Sequence, residues 1–161
     1  MKSFVRVIVT GMVLFAVPAF AQTAGSTDTN MEILMQKLKA DKKLLVASNM
    51  GLSDAEGKSF WPLYEGYQKE LDKVNQQLGK TITAYAEAYN QGKGSISNDT
   101  AKKLLNEAIS VDEQEVKLKR AYAEKIGKVL PAAKTARYIQ IENKIRALIK
   151  FELARQIPLV Y

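Results

Sequence analysis

Apolar residues recur along this chain in steps of four and three. Phe60, Tyr64, Tyr67, Leu71, Val74, Leu78, Thr81, Tyr85 and Ala88 make one unbroken series of such steps. A heptad seam sustained for about four heptads predicts a long helix packed against a partner helix. Over residues 62–91 that helix would extend roughly 45 Å at 1.5 Å per residue. The stretch "NQGKGSISN" (90–98) then supplies two glycines and several polar residues, a hairpin loop. Beyond it Ala101, Leu104, Ala108, Val111, Glu115, Leu118, Tyr122, Ile126 and Val129 form a second seam, predicting a helix over 98–129 with Ser97 as its N-cap. Glu115 is the charged member of that seam, expected either to weaken its middle or to face solvent.

Two shorter helices flank these arms. Thr29 and Glu32 have capping-box spacing and open a helix over about 30–49 with Ile33, Leu34, Leu38, Leu45 and Val46 as its apolar residues. Gly51 sits where a helix C-terminus needs a residue that tolerates positive φ. At the other end "LP" (130–131) stops the second arm, with Pro131 expected at the first position of a last helix over 131–156. Tyr138, Ile141, Ile145, Leu148 and Ile149 line one side of it, and Pro158 closes it. No stretch shows the period of two that marks a strand. The chain therefore reads as all-α: a long antiparallel helical hairpin with flanking shorter helices, about four helices in total, with enough exposed seam to favour a dimer.

One stretch conflicts with this regularity. In "LSDAEGKSFWPLYEGY" (52–67) Ser53 and Glu56 form a capping box, yet Pro62 follows within the same helical pattern. A proline in a helix interior costs about 3 kcal/mol or more, because it lacks the N–H and clashes one turn back. The expected resolution is a corner: residues 53–61 as a separate turn or two, with Pro62 restarting the chain near the first position of the long arm. Gly57 agrees with a break there.

Composition narrows the chemistry. Lys2 and Arg6, the apolar run 7–17 and "AFA" (19–21) have the form of a secretory signal peptide with cleavage after Ala21. An eleven-residue apolar run is too short to span a bilayer, which needs about 20. The small polar residues 22–29 then read as a disordered lead-in, and 30–161 as a single helical domain exported to the periplasm. Cysteine and histidine are both absent. No disulfide can staple the fold, transition metals lose their usual ligands, and nucleophile pairs that rely on histidine are impossible. No metal, no cofactor and no catalysis are expected. Glu65, Glu70 and Asp72, or Asp112, Glu113 and Glu115, alternate with lysines as solvated helix faces do. "GKGS" (92–95) lacks the spacing of a phosphate loop and reads as a turn.

Charge changes the picture most. Residues 22–99 carry 9 basic and 10 acidic groups, whereas 100–161 carry 13 and 7, a net +6. A basic half in an exported chain points to anionic partners, either acidic polypeptide or lipid headgroups, and not to nucleic acid. Such a face also serves simply to keep a bundle soluble. Tyr64, Tyr67, Tyr85 and Tyr122 lie on the seams and are expected in the core.

"LSDAE" (52–56) at a helix start resembles the L-T-x-x-Q motif of the Spy/CpxP group of small exported helical proteins, and "ISNDT" (96–100) echoes it at the other arm. Ser53 and Glu56 stand where that motif has Thr and Gln, and the second copy keeps only the apolar–Ser pair. The resemblance implies a hairpin that dimerises and holds unfolded polypeptides without ATP, or an accessory of envelope-stress signalling. The histidine-based metal sensing of some relatives cannot carry over.

The resulting expectation is an ATP-independent periplasmic chaperone or stress accessory, binding clients through Lys117, Arg120, Lys128, Arg137, Lys144 and Arg146 with Tyr138 and Ile141 as apolar contacts. The alternative is a peripheral envelope component docked on anionic membrane by the same basic half.

Overall fold

A computed structural model describes residues 40–160. The expected signal segment, the expected lead-in and residues 30–39 of the first expected helix lie outside the described residues. Four helices follow one another: α1 over 40–50, α2 Asp54–Gln91, α3 Asn98–Gly127 and α4 Ala132–Gln156. Among the described residues there is no strand, and the fold is all-α.

The helix ends are set by local chemistry. Gly51, at φ +55°, turns the chain out of α1. The Ser53 hydroxyl accepts from the Glu56 N–H, and the Glu56 carboxylate accepts from the Ser53 N–H at 2.8 Å, completing the capping box of α2. Ser97 caps α3 by accepting from the Thr100 N–H at 3.2 Å. Pro131 is the N-cap of α4 and not its first residue; its carbonyl accepts from the N–H groups of Lys134 and Thr135.

The corner expected at Pro62 does not exist. α2 runs unbroken through it for 38 residues, roughly 57 Å. Pro62 and Lys58 are both exposed, so the Lys58 carbonyl that Pro62 leaves without a partner is on a part of the helix that water reaches. The flanking Phe60, Trp61 and Tyr64 hold the segment down. Phe60 meets Trp61 and Tyr138 edge-on at 5.0 and 5.1 Å, and Trp61 meets Tyr64 at 5.4 Å. Such pairs contribute about 0.5–1.5 kcal/mol each beyond the area they bury.

α2 and α3 form the antiparallel hairpin, and α4 returns parallel to α2. Successive contacts fix that register: Lys134 to Glu56, Tyr138 to Phe60, Glu142 to Gln68, Arg146 to Asn75 and Tyr85 to Pro158. α2 and α4 meet through side chains. α1 runs antiparallel to α2, placing Val46 and Met50 in the core with Phe60, Tyr64, Tyr67 and Tyr138. At the close crossing of α2 and α3, a Cβ on Gly66 would come within 2.8 Å of the Tyr122 hydroxyl, so glycine is what lets that ring lie across α2.

The core is therefore concentrated at one end. This near end holds α1, the starts of α2 and α4 and the finish of α3. Toward the far end, beyond the level of Gln68 and Glu142, the described residues supply three helices. There Leu78 and Tyr85 are half-buried, Ala108 is exposed, and Leu148, expected on the packed side of α4, is 68% exposed.

Candidate functional site

Two features qualify for function: the solvent faces of α3 and α4, and an apolar pocket at the far end.

The eight residues expected to bind clients divide cleanly. Lys117, Arg120, Lys128, Arg137 and Lys144 are exposed. Lys117 faces Glu113 at 3.7 Å, while Arg120, Lys128, Arg137 and Lys144 make no ion pair among the described residues. Ile141 is half-buried against the core. Two assignments are corrected. Tyr138 is fully buried between Phe60, Tyr64 and Tyr67, and Arg146 is 4% exposed, so neither can present itself on this surface. Helical periodicity put them on the basic half of the chain, but not on its outside.

Arg146 instead neutralises Glu115. One guanidinium nitrogen donates to the Glu115 carboxylate at 2.5 Å and another to the Asn75 side-chain oxygen at 2.8 Å. Lys119 and Lys150 approach the same carboxylate at 3.8 and 3.4 Å. Glu115 is thus neither a solvent residue nor a weak point in the seam. Burial pushes its carboxyl up, but the hydrogen bond from Arg146 and the three cations outweigh that and hold it below the ordinary range. Asp112 accepts from Lys150 at 2.8 Å, raising the lysine, with burial opposing.

A second buried carboxylate lies closer to the near end. Glu142 is fully buried, accepts from Lys42 at 2.8 Å and from the Gln68 amide at 2.9 Å, and so links α1, α2 and α4. The hydroxyls around it titrate high. Burial, with the Glu142 charge, moves Tyr64, Tyr67 and Tyr138 far above the usual tyrosine range. Tyr122 rises to about 12 through burial and its hydrogen bond to Glu70 at 2.7 Å. None of these tyrosines can serve as an acid or base near neutral pH. The Tyr67 hydroxyl is buried and has no hydrogen-bond partner.

Sequence reasoning missed the exposed apolar residues. Leu105, Ile109 and Val116 lie on one solvent-facing strip of α3, and Leu148 and Phe151 on one of α4; they are between 48% and 68% exposed. On α3 the strip continues into Arg120, and on α4 it is preceded by Arg137 and Lys144. Each helix thus carries free cations toward the near end and exposed apolar side chains toward the far end. The steps 105–109–116–120 and 137–144–148–151 were legible as helical spacing, but not as solvent-facing.

The pocket, about 450 Å³, lies among α2, α3 and α4 at the far end. Its walls include Leu78, Ile82, Leu104, Leu153 and Ile157. Arg146, Asp112 and Lys150 mark its end nearest the middle of the molecule. Among the described residues no cluster of acidic side chains could hold a metal ion, and no helix is long and apolar enough to cross a membrane.

Fold and surface together define an all-helical bundle built on a long hairpin, with partly apolar, partly cationic outer faces. Compared with protein-family models, curated proteins and solved structures, the chain matches none of them.

Proposed function

We propose that the protein is an exported, ATP-independent polypeptide-binding chaperone or envelope-stress accessory of the Spy/CpxP kind, acting as a homodimer in the periplasm and catalysing no reaction. The observation that carries this reading is the juxtaposition on α3 and α4 of exposed cations with exposed apolar side chains. Lys117, Arg120, Lys128, Arg137 and Lys144 supply positive potential. Leu105, Ile109, Val116, Leu148 and Phe151 supply apolar contact on the same helices. Non-native polypeptides expose apolar groups together with acidic ones, and such a surface complements both. Charge then sets the rate of capture and apolar contact the residence time. No nucleotide is needed for either step.

The test is light scattering of an aggregating acidic client with and without the mature chain. Suppression should weaken as added salt shortens the Debye length from about 8 Å. Reversing Lys117, Arg120, Lys128, Arg137 and Lys144 to Glu should abolish suppression without loss of helicity. Wild-type suppression by that folded variant, across several clients, would refute the assignment. Docking on anionic membrane, the competing reading, predicts salt-sensitive flotation with anionic vesicles and no effect on client aggregation.

A further inference from the structure

The far-end pocket has the composition of a small-ligand site and shares only Leu105 with the surface proposed to bind polypeptide. Its volume, about 450 Å³, falls within the roughly 300–1,000 Å³ of small-molecule sites. From the level of Arg146 to that of Ile157 it follows α4 for eleven residues, roughly 16 Å at 1.5 Å per residue. Along that length the walls are mainly aliphatic, the Thr81 and Tyr85 hydroxyls donating to the Gln77 and Pro158 carbonyls, and the charged side chains gather at one end.

The polar end is unbalanced in two ways. Arg146 and Lys150 line the pocket with one carboxylate, Asp112, so two cations face one anion there; Glu115 and Lys119, which pair beside them, do not line it. Donors also outnumber acceptors: the Arg146 side chain, 4% exposed and lining the pocket, keeps a buried Nε–H without a partner. Lys150, by contrast, is about half exposed and can turn toward a group at the pocket's edge. An elongated apolar slot with surplus positive charge and surplus donors at one end matches a molecule with one alkyl chain and one anionic head.

We infer that the far-end pocket binds a single-chain anionic amphiphile, its alkyl chain lying along Leu104, Leu153 and Ile157 and its head beside Lys150 and Arg146. A cationic head would meet the like charges of Arg146 and Lys150 there. A neutral head would leave the surplus charge unanswered. The site is independent of the cations proposed to capture clients, none of which lines it.

The experiment is calorimetric titration of the full mature chain with dodecanoate below its micellar concentration, beside dodecanol and dodecyltrimethylammonium. Dodecanoate should bind at one per chain and at least tenfold more tightly than the cationic analogue. Ala154→Trp and Ala108→Phe each enlarge a pocket-lining alanine on an exposed part of its helix and should weaken dodecanoate binding at least tenfold. Having both variants guards against one failing to fold, which circular dichroism would reveal. Lys150→Met should weaken dodecanoate severalfold and leave dodecanol unchanged. The proposal is overturned if dodecanoate does not bind, if either folded pocket-filling variant binds it as wild type does, or if the cationic analogue binds equally well. It is also overturned if an acidic apolar peptide, and not dodecanoate, is what the pocket-filling variants lose.

Discussion

The two ends of this molecule are built from the same helices and differ in what those helices enclose. At the near end Phe60, Tyr64, Tyr67 and Tyr138 are at most 3% exposed, and α1 closes over them with Val46 and Met50. Polar groups there are tied across elements, Lys42 and Gln68 to Glu142 and Lys134 to Glu56. At the far end the loop joining α2 to α3 turns through Lys93 and Gly94 at positive φ, and Leu148 and Phe151 of α4, with Leu159 beyond its end, are more than 60% exposed. Stability resides where four helices bury aromatic rings. Where the described residues supply three helices, apolar side chains of α3 and α4 stand in solvent.

The largest expected effect tests that division directly. Tyr138→Ala at the near end should cost about 3–5 kcal/mol, as deletions of buried aromatic rings do. Phe151→Ala at the far end should change stability by no more than about 0.5 kcal/mol. Urea denaturation of both variants measures the contrast, and equal losses would erase it.

A comparable loss is expected where the ends meet. Arg146→Met strands the buried Glu115 carboxylate and should destabilise by about 3–5 kcal/mol. Replacing Glu115 and Arg146 together by Leu should recover most of it, because the desolvation cost of both charges disappears. If the double replacement melts no higher than the single one, the pair matters for more than mutual neutralisation.

Pro62→Ala should act in the opposite direction. With α2 continuous through residue 62, alanine restores the hydrogen bond to Lys58 and removes the ring clash, raising stability by up to about 3 kcal/mol. Trp61 fluorescence should keep its emission maximum, since the aromatic packing beside it is undisturbed. A lower melting temperature would mean that the proline is needed for the path of the helix.

Acid should loosen the same Glu115–Arg146 junction. Because the folded-state carboxyl of Glu115 is held below its ordinary 4.5, the stability it contributes is complete above that pH. It is lost as pH falls from there through the lower folded value. Melting followed between pH 6 and pH 2 should show this loss in wild type and less of it in the Glu115/Arg146 double variant. The smallest effect concerns Tyr67, whose buried hydroxyl lacks a partner. Tyr67→Phe removes only that group and should be neutral or stabilising by about 1 kcal/mol, read from the same denaturation curves.

Much of the fold was legible because helical spacing and end chemistry are local. The seam from Phe60 to Thr81, the capping box at Ser53 and the N-cap at Ser97 all depend on residues within a turn or two of one another. The break expected at Pro62 was read from the same kind of local rule and failed, since the proline's local cost was outweighed by aromatic contacts such as that of Phe60 to Tyr138 of α4, seventy-eight residues further along the chain. The candidate surface was harder. Arg120 and Arg146 both belong to the basic half of the chain, and spacing alone does not tell which of them faces solvent.

The sequence by itself determined that this chain is helical, where its hairpin turns, that Tyr64, Tyr67 and Tyr122 belong to its core, and that histidine and cysteine chemistry are closed to it. Only the tertiary structure decided what happens to the charges. Glu115 and Glu142 could be buried because cations from other helices arrive beside them, and no pattern along a single helix encodes that arrival. The far-end pocket was decided in the same way. A helix seam specifies that a partner must cover it, but how far each partner reaches depends on where the other helices begin and end.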